Sequence, residues 1–133
     1  MPETAVFFYC ESDGASPVFD RLSELRESQP KAFAACLAKL RMLRMFGHEL
    51  RRPAADYLEN GIYELRAKQG TVQYRLLYFF HGRNIAVVAH VLTKEKKVAP
   101  IDIARARERK NRYEQDLAQH RFPQRIEDLD APP

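Results

Sequence analysis

The sequence predicts an α+β domain: an antiparallel sheet with an N-terminal helical hairpin packed on one face and a C-terminal helix, in the order β-α-α-β-β-β-α. Two runs with helical spacing of apolar residues follow one another in the N-terminal half. Three strand-like runs come next, at about 61–66, 72–81 and 84–93, and connections this short force antiparallel pairing. A proline then opens a basic helical segment at residue 100.

The first strand and first helix each have a local signal. AVFFYC, at residues 5–10, is a short apolar run of β-favouring residues and predicts a strand. Ser16 followed by Pro17 predicts a helix start, because serine is a good N-cap and proline suits the first helical position.

The second helix is predicted from about Lys31 to Phe46, after a break at Pro30. Gly47 is its expected C-cap. The apolar stripe of this helix consists of Phe33, Leu37, Leu40 and Leu43. Residues 48–60 are expected to form a connecting loop, and the last helix is expected to run from Pro100 to about Leu117.

Strand alternation collects polar side chains on one face of the predicted sheet. We expect the first hairpin to turn through residues 67–70, so that Arg66 faces Thr71. We expect the second hairpin, with a two-residue turn, to place Arg75 directly across from His90. The polar face then contains Glu64, Arg66, Gln73, Arg75, His90 and Lys94. The opposite face is aliphatic and aromatic and is expected to contact the helices.

Cations beside a histidine form a candidate site for cleaving a phosphodiester. The planar guanidinium suits a phosphate, and a histidine with a pKa near neutrality can act as a general acid or base. The candidate catalytic residues are Arg66, Arg75, His90 and Lys94.

The same face also has a structural interpretation. Glu64 would neutralise one arginine, and Asp56 or Glu95 would neutralise another. His90 would then be a half-buried residue whose hydrogen bonds are satisfied. An outward-facing Arg75 is expected to add little to the stability of the fold.

Positive charge is concentrated in residues 94–112, which contain eight Lys or Arg and three Asp or Glu. This segment is therefore +5, whereas the whole chain is +4. Such density favours nucleic acid as a partner, although a solvated helix face gives the same pattern. The candidate RNA-binding residues are Lys96, Lys97, Arg105, Arg109 and Arg112.

The sequence argues against several other classes of protein. No apolar run approaches the roughly 18–20 residues of a membrane span, and no secretory signal is evident, so we expect a cytoplasmic protein with no membrane partner. Cys10 and Cys36 fit neither a metal spacing nor a disulfide framework. Because no histidine has ligand spacing and no nucleotide-binding loop is present, we expect no metal and no other cofactor.

The length suits one core, so we expect a single domain over residues 1–118. Three prolines lie near the C-terminus, and residues 119–133 are expected to be a loosely ordered tail.

Three segments together resemble the RelE/ParE toxin superfamily, and most closely its phage-derived, HigB-like branch. They are GIYELR at 61–66, YRLLYFFHGR at 74–83, and the run from His90 through Lys94 to Pro100. The resemblance covers about residues 3–115.

The resemblance implies a RelE-like fold and a toxin of a type II toxin–antitoxin pair. Such a toxin is a metal-independent endoribonuclease, an mRNA interferase, which cleaves mRNA usually on the ribosome until an antitoxin binds it. The implied partners are mRNA, the ribosome and a cognate helix-turn-helix antitoxin, and the oligomeric state is left open. By position, Arg75 would clamp the transition state, Arg66 would match a recurrent arginine, and Lys94 a basic residue after the last strand. Glu64 differs, because well-studied ribosome-dependent members place a lysine there.

Two other classes of function stay open. A ParE-like toxin binds a protein target such as gyrase without cutting nucleic acid, and a degenerate member would bind only an antitoxin or DNA. A histidine among converging cations favours the nuclease, because a pure binding module does not need a proton carrier.

Overall fold

The computed structural model describes residues 3–93 and 97–130. It has the predicted α+β fold class, as an open five-stranded sheet with helices on both sides. In chain order the elements are β1 (Ala5–Phe8), α1 (Pro17–Ser28), α2 (Pro30–Phe46), β2 (Ala55–Glu59), β3 (Ile62–Gln69), β4 (Val72–His81), β5 (Ile85–Thr93), α3 (Pro100–Gln115), α4 (Leu117–His120) and α5 (Ile126–Asp130). One turn of 3₁₀ helix, Gly47–Glu49, follows α2. Within the described residues, no helix combines the length and the apolarity that a membrane span requires.

The local signals at the N-terminal helices are confirmed. The Ser16 hydroxyl accepts a hydrogen bond from the Phe19 N–H at 3.4 Å and so caps α1. Gly47 ends α2 with a φ of 52°. Pro30 differs from the prediction, since it is the first residue of α2 rather than a break before it. The predicted apolar stripe of α2 is buried: Phe33, Leu37, Leu40 and Leu43.

The sheet has the strand order β1-β5-β4-β3-β2, and two of its pairs, β1–β5 and β2–β3, were not predicted. β1 runs parallel to β5, while the other neighbours are antiparallel. The parallel pair is possible because two helices and three strands separate β1 from β5 in the chain, far more than the dozen residues that a crossover requires.

β2 occupies part of the segment that was expected to be a loop. It pairs with β3 through a tight turn at Asn60 and Gly61, both of which have positive φ. Asn-Gly is the residue pair that a two-residue hairpin turn favours, so the sequence did carry a signal for this strand.

The β3–β4 hairpin keeps the predicted faces with a different register. Its turn contains only Gly70 and Thr71, and Arg66 pairs with Arg75 rather than with Thr71. This is a shift of four residues along β4, and an even shift leaves every side chain on the same face.

The β4–β5 hairpin differs from the prediction at two points, and its side chains still lie on the predicted faces of the sheet. Its loop, residues 82–84, is one residue longer than predicted, and Ala89 is an extra residue in β5 that makes a bulge. As a result Arg75 lies opposite Leu92, and His90 lies opposite Leu77. The predicted direct pairing of Arg75 with His90 is therefore wrong, but both residues share one face.

Each face of the sheet has its own apolar core. α1 and α2 cover the face of Leu65, Leu76 and Val88. On the other face, α3 inserts Ala106 and Tyr113 against a cluster that includes Ile62, Leu77, Phe79, Val87 and Ala89. The predicted polar face is thus partly covered by α3, and Arg66 and Arg75 lie at its far end.

Residues 119–130 differ from the expected loose tail. The Phe122 N–H donates to the Phe8 carbonyl at 2.9 Å, which extends the outer edge of β1. Ile126 and Leu129 of α5 are buried in the core beneath α1 and α2. An exposed strand edge and two apolar side chains give this segment enough contacts to dock.

Candidate active site

A buried carboxylate lies between the two candidate catalytic arginines. Glu64 of β3 is 1% exposed. It accepts hydrogen bonds from Arg66 Nε at 2.7 Å and from Arg75 Nη1 at 2.9 Å. Arg66 and Arg75 face each other across β3 and β4, so a glutamate two residues before Arg66 lies within reach of both. The burial of Glu64 is tolerated because its charge is matched.

A second carboxylate, Asp56 of β2, extends this cluster to the sheet edge. It accepts from Arg66 Nη2 at 3.1 Å and from Arg52 Nε at 3.0 Å. Arg52, Asp56, Arg66, Glu64 and Arg75 form a chain of alternating charge, which we call the arginine–carboxylate chain. With three cations and two anions, its net charge is +1.

These contacts are the ones that the structural interpretation of the face expected. Glu64 contacts both arginines and Asp56 contacts one, while Glu95 lies outside the described residues. The Arg66 side chain is 34% exposed and the Arg75 side chain 11%, so Arg66 is the more accessible of the two.

His90 lies on the same face, one strand further from the sheet edge. Leu77 pairs with Glu64 on one side and with His90 on the other, so it separates the histidine from the arginine–carboxylate chain. His90 Nε2 is 2.9 Å from Oδ1 of Asp102, which lies in the first turn of α3.

The surroundings of His90 favour a neutral imidazole. Burial lowers its pKa below the ordinary value, the hydrogen bond that His90 donates to Asp102 raises it in part, and the positive charge of Arg109 lowers it further. A neutral imidazole that donates Nε2–H to Asp102 keeps its lone pair on Nδ1, which can accept a proton.

The candidate basic residues outside the sheet differ in how accessible they are. Lys94 and Lys96 lie outside the described residues, and Lys97 is exposed. Arg109 is mostly buried, where its Nη1 donates to the Ala89 carbonyl at 2.6 Å and its Nε lies 3.4 Å from Glu11. Arg105 and Arg112 are exposed. Of the three candidate RNA-binding arginines of α3, Arg105 and Arg112 are thus the ones that remain accessible to a polyanion.

The sequence alone did not identify Asp102 and Glu11 as partners of His90 and Arg109. Asp102 was visible only as an acidic residue in a first helical turn, which any helix favours. Its contact with His90 depends on where α3 crosses β5, and no local pattern encodes that crossing.

Metal ligands do not converge in the described part of the chain. No group of three or more His, Cys, Asp or Glu side chains is arranged there to hold a metal ion.

The chain matches a known family over most of its sheet and helices. The family model described as phage-derived protein Gp49-like (DUF891) matches residues 23–111, which is 89 of the 133 residues. The match includes Arg66, Arg75 and His90. A comparison with curated proteins finds no match. The chain therefore belongs to the Gp49-like family of phage-derived proteins, a family that is common in toxin–antitoxin systems.

Proposed function

We propose that this protein is the toxin of a type II toxin–antitoxin pair and a metal-independent endoribonuclease that cleaves mRNA on the ribosome. The observation that carries the proposal is one sheet face on which Arg66 and Arg75 oppose each other beside the His90–Asp102 pair. Family membership supports the toxin assignment. The resemblance to the HigB-like branch of the RelE/ParE superfamily supplies the reaction class.

In the proposed reaction, the 2′-oxygen of the RNA attacks the adjacent phosphorus. The 2′-O–P bond forms as the P–O5′ bond breaks, and the products are a 2′,3′-cyclic phosphate and a 5′-hydroxyl. Neutral His90 accepts the 2′-hydroxyl proton at Nδ1, while Asp102 holds the opposite side of the ring. The 5′-oxygen takes a proton from a cation, for which Lys94 is the candidate from the sequence.

The arginines stabilise the charge that develops on the phosphate during this attack. Arg66 and Arg75 donate hydrogen bonds that strengthen as the phosphorus gains its fifth oxygen. Glu64 fixes the orientation of both guanidinium groups, which reduces the reorganisation that the transition state requires. An incoming phosphate meets a net charge of +1 on the arginine–carboxylate chain.

The proposal includes two kinds of partner besides mRNA. The ribosome presents the mRNA, and the exposed Lys97, Arg105 and Arg112 are suited to contact its phosphates. A helix-turn-helix antitoxin neutralises the toxin by covering the face of Arg66 and Arg75 with acidic or apolar side chains.

Two observations favour a second candidate, a toxin that binds a protein and cuts nothing. Arg66 and Arg75 each contact a buried carboxylate already, as purely structural arginines do. At the end of α2, Met45 and Phe46 are exposed, and such apolar surface suits a protein partner.

Loss of Arg75 separates the two candidates. We expect Arg75→Ala to reduce mRNA cleavage about 30- to 1000-fold, since an oxyanion-type donor contributes roughly 2–4 kcal/mol. Arg75→Lys recovers only part, because a point charge cannot reproduce the guanidinium fork. The measurement is growth arrest together with primer extension on cellular mRNA after induction. Arg21→Ala on α1, an exposed arginine paired with Glu24, is the matched control.

Stability has to be measured beside activity in this series. Contrary to the expectation from sequence, Arg75→Ala also destabilises the fold, since it removes one of the two cations that neutralise buried Glu64. Cleavage is therefore compared at temperatures where circular dichroism shows the variant folded. If folded Arg75→Ala cleaves normally, the catalytic role of Arg75 is wrong. If the wild type arrests growth without cleaving mRNA, the nuclease proposal fails and the protein-binding toxin becomes the better account.

A further inference from the structure

A cavity of about 650 Å³ lies beside the edge strand β2, close to the end of α2. Its walls combine the aromatic rings of Tyr57 and Tyr63, the guanidinium groups of Arg51 and Arg52, and the imidazole of His48. Cavities of several hundred cubic ångströms are the size that holds small ligands or single residues of a larger one.

The aromatic walls are held in place before any ligand arrives. The ring of Tyr57 meets the ring of Tyr63 edge to face at 5.0 Å, and Tyr63 stacks on Tyr78 at 5.4 Å. His48 stacks on Phe80 at 3.6 Å. The Tyr57 hydroxyl accepts a hydrogen bond from the Gly61 N–H at 3.1 Å, although the residue is 53% exposed. A ring that is both exposed and fixed can stack on a ligand at low entropic cost.

The cavity carries positive charge. Arg51 donates to the carbonyls of His48 and Leu50 and has no carboxylate partner among the described residues. Arg52, whose side chain is 75% exposed, pairs with Asp56. Two arginines against one aspartate leave the walls cationic, which suits a ligand with a phosphate.

The cavity adjoins the candidate active site through a shared residue. Asp56 lines the cavity and also accepts the hydrogen bond from Arg66. Asp56 pairs with Glu64 and Tyr57 pairs with Tyr63. Because successive strand residues point to opposite faces, β2 presents Asp56 to the arginines on one face and Tyr57 to the other face, and the cavity reaches both residues at the sheet edge. A strand of RNA that crosses the β2 edge would therefore contact both.

We propose that this cavity is a nucleobase-binding subsite for single-stranded RNA, and that it holds a nucleotide next to the one that is cleaved. The placement of this nucleotide next to the cleaved one rests on the proposed function, whereas the binding of RNA in the cavity does not. Single-stranded RNA is recognised by aromatic and arginine groups that stack on splayed bases and by cations that contact the backbone, which is the lining found here.

The lining does not suit the apolar face of a partner helix. Its aliphatic members are Leu50, which is half-buried, and Ala55, which is fully buried. A helix that docks in a groove needs accessible aliphatic surface, and the accessible apolar surface here is aromatic.

The test is the affinity of the full-length protein for an eight-nucleotide, fluorescein-labelled single-stranded RNA whose 2′-hydroxyls are methylated to prevent cleavage. We expect Tyr57→Ala to raise Kd about 5- to 100-fold, the usual effect of removing one stacked ring. Tyr57→Phe keeps the ring and should stay within about threefold of the wild type. Arg51→Gln should lower the slope of log K against log salt by about one. Val72→Ala, an exposed strand residue outside the cavity, is the control.

A stacked base gives a second signal, which a purely structural role of Tyr57 would not change. 2-Aminopurine placed in the RNA should be quenched on binding by the wild type and by Tyr57→Phe, and not by Tyr57→Ala. Wild-type affinity and quenching in Tyr57→Ala would overturn the subsite and point to a protein occupant. A wild type that does not bind this RNA would overturn it as well. mRNA cleavage is measured with the same preparations and tests the proposed function separately. RNA binding at the cavity can be found, or not found, whether or not the protein cleaves mRNA.

Discussion

At the scale of single residues, Glu64 decides how the arginine face is interpreted. It is buried, it is acidic, and it contacts both Arg66 and Arg75. Without it, two guanidinium groups would oppose each other across neighbouring strands, which is unfavourable for like charges. Glu64 is therefore what allows this pair of arginines to exist in a folded sheet.

The Glu64→Gln substitution tests that role. Removing one partner of a buried ion pair leaves the other charges uncompensated, so we expect the free energy of unfolding to fall by about 2–4 kcal/mol. The range extends down to about 2 kcal/mol because Arg66 is partly exposed, so water solvates part of its charge when the carboxylate is lost. Urea denaturation measures the change, and Glu24→Gln, at an exposed pair on α1, should shift it by less than about 0.5 kcal/mol. Equal effects of the two substitutions would show that Glu64 does not hold the arginines.

His90 should make the stability of the fold depend on pH. Because burial lowers its pKa in the folded protein below the ordinary 6.5, the unfolded chain binds the extra proton more readily. The neutral histidine is fully tolerated above about pH 6.5, and stability is lost as the pH falls below that value. The unfolding free energy of the wild type should therefore drop more than that of His90→Gln between pH 7 and pH 5. Parallel pH profiles would mean that Asp102 cancels the effect of burial.

At the scale of elements, the alternation of side chains along each strand predicted which face of the sheet a residue lies on. It was a poorer guide to which residues pair across neighbouring strands. Arg66, Arg75 and His90 share a face as expected, although neither hairpin has the predicted register. Side-chain direction depends only on whether a shift is odd or even, and the bulge at Ala89 compensates the longer loop after β4. β2 was missed because Leu58 interrupts its pairing, leaving Asn60-Gly61 as the only strong signal. The contacts that α3 makes with β5 could not be predicted, since they depend on tertiary packing.

Gly47 joins α2 to the turn before β2, and its backbone requires glycine. With φ at 52° and ψ at −125°, a side chain would be strained, and its Cβ would also collide with the hydroxyl of Thr4. We expect Gly47→Ala to lower the free energy of unfolding by about 2–4 kcal/mol, measured by chemical denaturation. Gly82→Ala has a comparable φ of 68° and no atom within 4 Å of the added carbon, so it should cost only about 1–2 kcal/mol. Identical losses would exclude the collision with Thr4.

At the scale of the whole molecule, the two faces of the sheet differ in how far helices cover them. α1, α2 and α5 cover most of one face and leave the cavity beside β2 open, whereas α3 covers the other face only in part and leaves the arginine end accessible. The C-terminal segment contributes to the first core, which its proline-rich sequence does not suggest. Its docking depends on the free outer edge of β1, and a local pattern cannot reveal which edge remains unpaired.

Truncation after Gln124 tests whether the C-terminal segment stabilises the fold. It removes Ile126 and Leu129, and burying a large apolar side chain contributes about 1.5–3 kcal/mol. We expect the truncated protein to unfold with a free energy lower by about 3–5 kcal/mol, measured by urea denaturation against the full-length chain. A tail that is only loosely attached would leave the midpoint unchanged.

The central claim, that this protein cleaves RNA without a metal, is tested most directly by the ends of the RNA it produces. Purified protein is added to a translating extract that contains labelled mRNA, and the ends of the mRNA fragments recovered from the ribosomes are analysed. The proposed 2′-hydroxyl attack predicts new fragments that carry a 2′,3′-cyclic phosphate and a 5′-hydroxyl, rather than the 5′-phosphate that a metal-activated water leaves, and none with Arg75→Ala. Intact mRNA in every lane, or fragments with a 5′-phosphate, would contradict the account.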